Sequence, residues 1–533
     1  MFKPLSFPLR RAPSLRLSWL AGSLLLLQAC ASPPSQQTLQ KVRSQANPTD
    51  QAQRTITNFT PALRCMDDLM FRTGTRDVTL MMEEMRDSTQ RVQVSTRDMM
   101  TSAISEMTRR SRAVRLSVFG SDQQNLQQLL QQAQKNNVFQ VVPEFNVRGT
   151  ISQLDEDVKR DSSSLGLLTP SAFGLRLGSE TRFSVLGFDA AVVRTDTFTL
   201  VPGVSSKNTT VLTRRDSSAG DGQGRIQGVG TVFAFSAGRS EGTASAARNM
   251  VELATIELVG KLIRAPYWQC LGVEDDAAEV QREVQDWFLS MDEGERTTFL
   301  KTRMRERGYF DGALDAAATP AYLAALQTYR QALGLAPAPG VDLAFFHRFV
   351  NRQVPAGPLL TGARAAGTEA AARPAQVAAV AAALPAATLL LKPVPGGAET
   401  QLSLSLANTA GAYVYCYAQD PNTGAMRRIF PNRFTPDPRV EAGRSISLPG
   451  RGGFKLSALH QHACMVAPRE VYNVLPPQLR WGDFEDIRLA DFEAVRQHFA
   501  QASGAPVNLV TPRALSAGAR GNAAGASPKL AVR

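Results

Sequence analysis

Phe139-Gln-Val-Val-Pro-Glu-Phe-Asn-Val-Arg-Gly-Thr-Ile-Ser152 sets the fold of the first large domain of this chain. Its odd positions are apolar and most of its even positions are polar, and this period of two predicts a β-strand with one apolar face. The predicted strand is longer than the average of about five or six residues. The same pattern returns over 173–185, so the two segments predict a hairpin.

A second predicted pair, Lys207–Arg215 and Ile226–Ala237, is joined by a turn-rich stretch at 217–224. A strand that crosses a membrane needs about 9–11 residues with one apolar face, and the first pair fits this better than the Thr-rich second pair. The candidate lipid-facing side chains are Phe145, Val147, Phe183, Val185, Phe233 and Phe235. A soluble antiparallel sheet with one face in water has the same period, and on the pattern alone it is the favoured interpretation.

Predicted helices surround these strands in the sequence. The expected elements are a helix over Ser95–Arg110, a strand over Val114–Val118, a Gln/Leu-rich helix over about 122–135 and a long helix over Thr243–Arg264. The first helix carries Met100, Ile104 and Met107 on one face. Helices mixed with strands in this way predict an α/β domain.

The N-terminal residues have the pattern of a bacterial secretion signal. A positively charged segment precedes the apolar run Leu17–Leu27, which is too short to span a bilayer because that takes about 20 apolar residues. The following Leu27-Gln-Ala-Cys30 resembles the bacterial lipobox, in which the Cys thiol accepts diacylglycerol. We expect residues 1–29 to be removed and Cys30 to be lipidated. Ala31, in place of Asp, resembles the outer-membrane sorting class.

Composition indicates a globular protein of several domains. The 533 residues are 43% hydrophobic and carry a net charge of +12, and at about 150 residues per domain they suggest about three domains. No Lys/Arg block is interleaved with aromatic residues, so nucleic acid is not an expected partner. A positive net charge is explained equally well by contact with the anionic lipids and polymers of a cell envelope as by contact with nucleic acid.

Composition shifts divide the chain into seven segments. We predict a signal peptide (1–29), a polar tether (30–60), an α/β domain (61–271), a helical domain (272–351), an Ala/Pro-rich linker (352–398), a β domain (399–500) and a disordered tail (501–533).

The α/β segment resembles the CsgG/HfaB family of curli and holdfast secretion lipoproteins. The matching stretches are Ser102-Ala-Ile104, Asn125-Leu126 with Leu129-Leu130, Val147-Arg-Gly-Thr-Ile-Ser152, Phe188-Asp-Ala-Ala-Val-Val-Arg-Thr195 and the closing Ala-rich helix. The resemblance implies an outer-membrane lipoprotein without a catalytic site, in which each subunit gives two β-hairpins to a channel closed by a ring of subunits. Open strand edges cannot stand alone in lipid, so neighbouring subunits are needed.

One departure from that family concerns the channel constriction. The family carries aromatic and amide side chains in a loop after the first strand, whereas residues 84–94 here read Glu-Met-Arg-Asp-Ser-Thr-Gln-Arg-Val-Gln-Val. A pore of this protein would therefore be gated by Arg and Gln, or would differ from the family's pore.

Residues 296–350 resemble the small three-helix peptidoglycan-binding domain. The matching residues are Leu300, Met304, Gly308-Tyr-Phe-Asp-Gly312, Asp315, Ala325-Leu326, Tyr329 and Gly334-Leu335. The resemblance makes Tyr309, Asp315 and Tyr329 candidate glycan-binding residues. Ala316, Thr319 and Tyr322 depart from the family pattern at the loop that shapes its cleft, and a purely structural helical module is the alternative.

Residues 399–475 resemble a domain of unknown function found in envelope lipoproteins. Tyr413-Val-Tyr-Cys-Tyr417, Arg428-Ile-Phe-Pro-Asn-Arg433 and the later strand with Cys464 carry the resemblance. The strand pattern predicts a β-sandwich-like domain.

Four cysteines remain once Cys30 is assigned to lipid. They are Cys65, Cys270, Cys416 and Cys464. Three pairings are possible in an oxidising compartment, and the domain organisation favours Cys65–Cys270 and Cys416–Cys464, each bridging the ends of one domain. Buried free thiols are the alternative.

Motifs for catalysis and for cofactor or metal binding are missing from the sequence. No phosphate-binding Gly loop, nucleophile elbow or HExxH helix occurs. His460, His462 and Cys464 lie close together, but a metal site would need a fourth ligand and a free thiol. We expect no catalytic residues, no metal and no cofactor.

Two functions remain after these exclusions. The first is a homo-oligomeric secretion channel or assembly component, anchored in the outer membrane and facing the periplasm, for a secreted fibre or adhesin. The second is a periplasmic adaptor without a pore, which links the outer membrane to peptidoglycan or to another envelope machine.

Overall fold

The structure is a computed structural model that describes residues 57–120, 128, 142–156, 181–215, 221–228, 231–238, 242–360, 387–394, 399–407, 411–450 and 454–514. The predicted signal peptide, Cys30 and all but one residue of the Gln/Leu-rich helix lie outside these residues. Within them the chain has several domains, with a mixed α/β part and a β-rich C-terminal part, which confirms the predicted class at that level.

The α/β part is built on a seven-stranded sheet with the order β2-β1-β3-β4-β5-β6-β7. The strands are β1 (Val78–Met82), β2 (Val114–Val118), β3 (Phe145–Asp155), β4 (Thr181–Arg194), β5 (Leu200–Arg215), β6 (Asp221–Gly228) and β7 (Thr231–Gly238). β1 pairs in parallel with β2 and β3, and the pairs from β3 to β7 are antiparallel.

Three helices pack with this sheet into a hydrophobic core. They are α1 (Thr60–Arg72), α2 (Thr96–Met107) and α3 (Gly242–Leu262). Ser95 caps α2 by accepting a hydrogen bond from the Asp98 backbone N–H at 3.3 Å, which satisfies one of the free donors at the helix start. Met100, Ile104 and Met107 are all buried, so the predicted helix face is the one that meets the core.

The second pair of strands differs from the prediction. The sequence pattern predicted one strand over Ile226–Ala237, but β6 ends at Gly228 and β7 begins at Thr231, and the two strands pair with each other. The glycines at 228 and 230 are the residue type that allows a chain to reverse direction most easily.

The helical segment (272–351) contains four helices, of which the last three cover the range 296–350 that resembles a three-helix domain. These are α4 (Ala278–Ser290), α5 (Glu293–Glu306), α6 (Pro320–Ala332) and α7 (Leu343–Asn351). Their core is continuous with that of the α/β part. Trp268 and Trp287 lie 5.3 Å apart between ring centroids, and Trp268 Nε1 donates to Asn351 Oδ1 at 2.8 Å. The predicted boundary at 271 therefore does not separate two cores.

The C-terminal part consists of two sheets and a helix. Its elements are β8 (Ala387–Pro393), β9 (Glu399–Leu406), β10 (Ala412–Gln419), β11 (Met426–Phe430), β12 (Arg439–Val440), β13 (Ser445–Leu448), β14 (Leu456–Ser457), β15 (Gln461–Ala467), β16 (Asp486–Ile487), α8 (Phe492–Ser503), β17 (Asn508–Val510) and β18 (Arg513–Ala514). One hydrophobic cluster contains residues of both sheets. The other face of the β10–β15 sheet packs against α8.

Two predicted boundaries of this part are wrong. β8 lies inside the predicted linker (352–398) and pairs with β9, while β17 and β18 lie inside the predicted disordered tail (501–533). Both errors have one cause, because short strands gain their stability from the sheet that they join rather than from their own composition.

No helix among the described residues is both long and apolar enough to cross a membrane.

Candidate functional site

A cavity of about 1110 Å³ lies where the α/β, helical and C-terminal parts meet. The α/β part contributes residues around Arg76 and Phe145, α5 contributes one wall, and the C-terminal part contributes the loops around Asp437 and Tyr472. The cavity is slightly larger than the upper end of typical ligand sites, about 300–1,000 Å³.

Buried ion pairs fix the C-terminal part to the α/β part beside this cavity. Asp77 accepts hydrogen bonds from Arg428 Nη2 at 2.8 Å and from the Asp483 backbone N–H at 2.7 Å. Arg433 Nε donates to Asp483 Oδ2 at 2.9 Å. Arg115 Nη1 donates to the backbone oxygen of Asp483 at 2.5 Å. We call Asp77, Arg428, Asp483, Arg433 and Arg115 the Asp77 network.

The centre of the Asp77 network is almost dry, whereas Arg115 at its edge is 34% exposed. The side chains of Arg428 and Asp483 are 0% exposed and that of Asp77 is 5% exposed. Burial alone would raise the pKa of Asp483, but the hydrogen bonds and charge of Arg433 hold it below the ordinary value. The network therefore holds ionised groups between the α/β part and the C-terminal part.

The helical part is joined to the C-terminal part in the same way. Arg305, which is buried, forms an ion pair with Asp437 at 2.5 Å. Tyr413 Oη donates to Asp311, and Arg439 Nη1 donates to the Asp311 backbone oxygen at 2.7 Å. The three parts therefore hold one another through specific polar contacts.

The structure has both predicted disulfides. Cys65 in α1 is bonded to Cys270, which links the two ends of the α/β part. Cys416 and Cys464 are direct partners on neighbouring strands β10 and β15, so this bond crosses between central strands and does not join the ends of the domain as predicted.

Three of the six candidate lipid-facing residues lie inside the protein. Val147 is 2% exposed and belongs to the core between sheet and helices. Phe145 lines the cavity, and Val185 is 4% exposed beside its strand partner Val211. A lipid-facing side chain would be exposed in a single subunit, so this assignment is wrong for these three residues. The side chains of Phe183, Phe233 and Phe235 lie outside the described part of the structure.

The candidate glycan-binding residues do not form a cleft. Tyr329 is 0% exposed, with its ring against Phe349 at 4.7 Å, so its assignment as a glycan contact is wrong. Asp315 accepts a hydrogen bond from Lys301 Nζ at 2.6 Å, which lowers the pKa of Asp315. Tyr309 Oη donates to the Pro355 backbone oxygen at 3.0 Å. These residues stabilise the helical part itself.

The loop after β1 covers residues 84–94, the stretch in which the sequence predicts Arg and Gln side chains at any constriction. Asp87 organises it, because its carboxylate accepts from the backbone N–H groups of Thr89 at 2.9 Å and Val92 at 2.6 Å. Burial would raise the pKa of Asp87, but the hydrogen bond that the Thr89 hydroxyl donates at 2.6 Å and these backbone hydrogen bonds lower it. The loop presents exposed polar side chains to solvent, namely Arg86, Gln90, Arg91 and Gln93.

His462 is a buried histidine without hydrogen-bond partners. It is 3% exposed, and neither ring nitrogen has a partner. Burial, followed by the nearby charge of His460, lowers the pKa of His462 to about 4. The described residues contain no group of three His, Cys, Asp or Glu side chains that could hold a metal ion.

Protonation of His462 is expected to destabilise the protein in mild acid. Since the folded-state pKa is about 4 and the ordinary value is 6.5, the unfolded chain binds the extra proton between these values. The free energy of unfolding should therefore fall by up to about 3 kcal/mol as the pH drops from 6.5 to 4. His462→Phe should remove this contribution from the measured pH dependence, and His498→Gln, with His462 intact, should retain it. Equal pH dependence in the parent and His462→Phe would contradict the assignment.

No sequence pattern pointed to the residues of the Asp77 network. Asp77 and Arg428 are 351 positions apart, and neither belongs to a motif. Arg428 stands in β11 among buried residues, where alternation alone would not predict a fully buried guanidinium. Only the tertiary contacts show that these charges meet.

Comparison with protein families finds a match for one region of the chain. The domain of unknown function DUF4384 matches residues 397–462, which hold β9 to β14 and the start of β15. Comparison with curated proteins gives no match. The chain therefore contains a region similar to a domain of unknown function at the predicted place.

Proposed function

We propose that the chain is a lipid-anchored outer-membrane protein that assembles into a ring and contributes β-hairpins to a secretion channel for an extracellular fibre or adhesin. Lipid on Cys30 would hold each subunit at the membrane, since every buried CH₂ contributes about 0.8 kcal/mol. The proposal rests on the predicted lipobox, on the CsgG/HfaB resemblance and on one feature of the sheet.

That feature is the extension of β4 and β5 beyond the hydrophobic core. On β4 the core residues run from Val192 to Leu186, but the strand continues to Thr181. Its pairing with β5 extends to Thr181 opposite Arg215, past Leu212, the last residue of β5 in the core. Paired strands that extend beyond the hydrophobic core of their own domain can enter a second environment, such as a lipid bilayer.

Burial of Val147 and Val185 narrows the proposed membrane segment. Up to about Val185 the strands belong to the α/β part, so the proposed membrane segment would begin near Phe183 on β4 and continue into the stretch between β3 and β4. That stretch contains Phe173, Leu175 and Leu177, which follow the alternating pattern. The exposed Arg and Gln side chains of the Asp87 loop fit a polar constriction.

Two arginine substitutions separate the core from the proposed membrane segment. Val147→Arg places a charge in the core and should abolish folding. Phe183→Arg should leave a folded, lipidated protein that forms fewer detergent-resistant oligomers, because a charge that faces lipid destabilises every inserted subunit of the ring. Wild-type oligomer yield from Phe183→Arg, with normal folding, would contradict the proposed location.

The rigid junction of the three parts favours a second candidate, the adaptor without a pore. Ion pairs fix the helical and C-terminal parts to the α/β part, as a tether that transmits position across the periplasm would require. The adaptor predicts a folded monomer that leaves liposomes sealed and cross-links in cells to peptidoglycan or to an envelope partner. The channel predicts rings and permeable liposomes.

A further inference from the structure

The cavity between the three parts has a lining whose charges compensate one another. It contains five carboxylates and four guanidinium groups. Arg303 pairs with Glu306 at 3.1 Å, and Arg305 pairs with Asp437 at 2.5 Å. A lining in which the two signs balance this closely does not select a ligand by its net charge.

The other two arginines of the lining lie near carboxylates without a direct ion pair among the described residues. Burial lowers the pKa of Arg264, and the charge of Glu295 opposes this shift. Burial would also lower the pKa of Arg76, but Tyr472 and other nearby acidic groups, Glu470 among them, raise it. Each guanidinium therefore has an opposite charge close to it in the same cavity.

These two arginines and two glutamates keep hydrogen-bonding groups that no described residue uses. Arg264 has no hydrogen-bond partner among the described residues, and Arg76 has one, a backbone oxygen that lies 3.3 Å from its Nη2. Glu295 accepts one hydrogen bond at Oε2, from a backbone N–H at 3.1 Å. Glu470 accepts hydrogen bonds at Oε1 alone. Free donors and free acceptors therefore line the same cavity.

The other wall of the cavity is apolar. Its side chains pack against the hydrophobic core, but each of them is only partly buried. Phe299 follows Glu295 by four positions on α5, so the ring and the carboxylate lie on the same face of the helix. The wall is formed by Val78, Phe145, Leu262, Ile263, Phe299 and Leu314.

The two walls together define the chemistry of a ligand. A carboxylate or phosphate only accepts hydrogen bonds from the free donors, and an ammonium group only donates to the free acceptors, whereas a hydroxyl group does both. A sugar ring combines several hydroxyl groups with an apolar face of C–H bonds, and it carries no charge. The cavity volume of about 1110 Å³ is large enough for more than one such ring.

We propose that this cavity binds an uncharged oligosaccharide. Its hydroxyl groups donate to the carboxylates of Glu295 and Glu470. They accept from the guanidinium groups of Arg264 and Arg76, and the apolar face of a ring lies against Phe299. The inference goes beyond the proposed channel and does not depend on a pore, because the cavity is formed within one subunit.

Calorimetric titration of the full-length protein in octaethylene glycol dodecyl ether tests the proposal, because this detergent has no sugar head group. The uncharged probes are maltotriose and chitotriose, and the charged ones are trigalacturonate and the glucosamine trimer, which is chitotriose without its acetyl groups. We expect saturable binding of at least one uncharged probe, and at least about tenfold weaker binding of both charged probes, since each charged probe meets a like charge in the lining. Equal or tighter binding of a charged probe, or no saturable binding of either uncharged probe at millimolar concentration, would overturn the proposal.

Two substitutions of opposite sign locate the site. Arg264→Gln and Glu295→Gln each remove one charged hydrogen-bonding group, and each should weaken binding of the uncharged probe about tenfold. The exposed Arg348→Gln, on α7 and outside the cavity lining, should bind as the parent does. A ligand that uses both signs predicts a loss in both variants, so unchanged binding by either of them, with normal folding, would overturn the proposal. If Glu295→Gln does not fold, the comparison of the four probes on the parent protein still decides.

Discussion

Arg428→Met is expected to lower the free energy of unfolding by about 3–5 kcal/mol, because it leaves a buried carboxylate without its counter-ion. Arg428 is 0% exposed, and its Nη1 and Nη2 donate to Asp77 at 3.3 and 2.8 Å. Asp77 and Asp483 would remain in a dry environment with one guanidinium fewer. Urea unfolding followed by tryptophan fluorescence measures the loss.

The neighbouring arginine on the same strand provides the control. Arg427 pairs with Asp486 at 2.6 Å, but both side chains are well exposed, at 39% and 57%, so Arg427→Met should cost less than about 1 kcal/mol. Adding Asp77→Asn to Arg428→Met should recover part of the loss, because Asn removes the buried charge and tolerates the positive φ of 62° at this position. Equal effects of Arg427→Met and Arg428→Met would show that the Asp77 network does not hold the domains together.

Removal of the Cys65–Cys270 disulfide has the second large expected effect. The bond joins residues 205 positions apart, and its loss should cost about 2–5 kcal/mol by freeing the unfolded chain. The double variant Cys65→Ala/Cys270→Ala tests this by thermal unfolding under non-reducing conditions.

The second disulfide gives a matched comparison. Cys416 and Cys464 are 48 positions apart, so the chain-entropy term predicts a loss smaller by about 1 kcal/mol for Cys416→Ala/Cys464→Ala. Both cysteines are also buried in the sheet core, and each double variant removes similar side-chain volume. A larger loss at Cys416–Cys464 would contradict the entropic account of the difference.

Local periodicity predicted the elements whose packing depends on a single face. The α2 helix, with Met100, Ile104 and Met107 buried, and the strand β2 follow directly from the spacing of apolar residues. The pairing of the four cysteines followed from the domain organisation, because each predicted pair lies within one domain.

Periodicity could not show which medium covers an apolar strand face. Val147 and Val185 fit lipid and core equally well, since both environments select the same alternation, and only their burial in the folded chain distinguishes the two environments. The buried charges were unpredictable for a different reason. Asp77, Arg428 and Asp483 come from distant positions, and each would ordinarily be expected at the surface.

Electron microscopy of the full-length, lipidated protein in detergent, combined with a dye-release assay on liposomes, tests the channel proposal most directly. The account predicts closed rings of identical subunits, and release of a small dye from liposomes that contain them. Monomers without rotational symmetry and fully retained dye, from protein that is folded and lipidated, would contradict it.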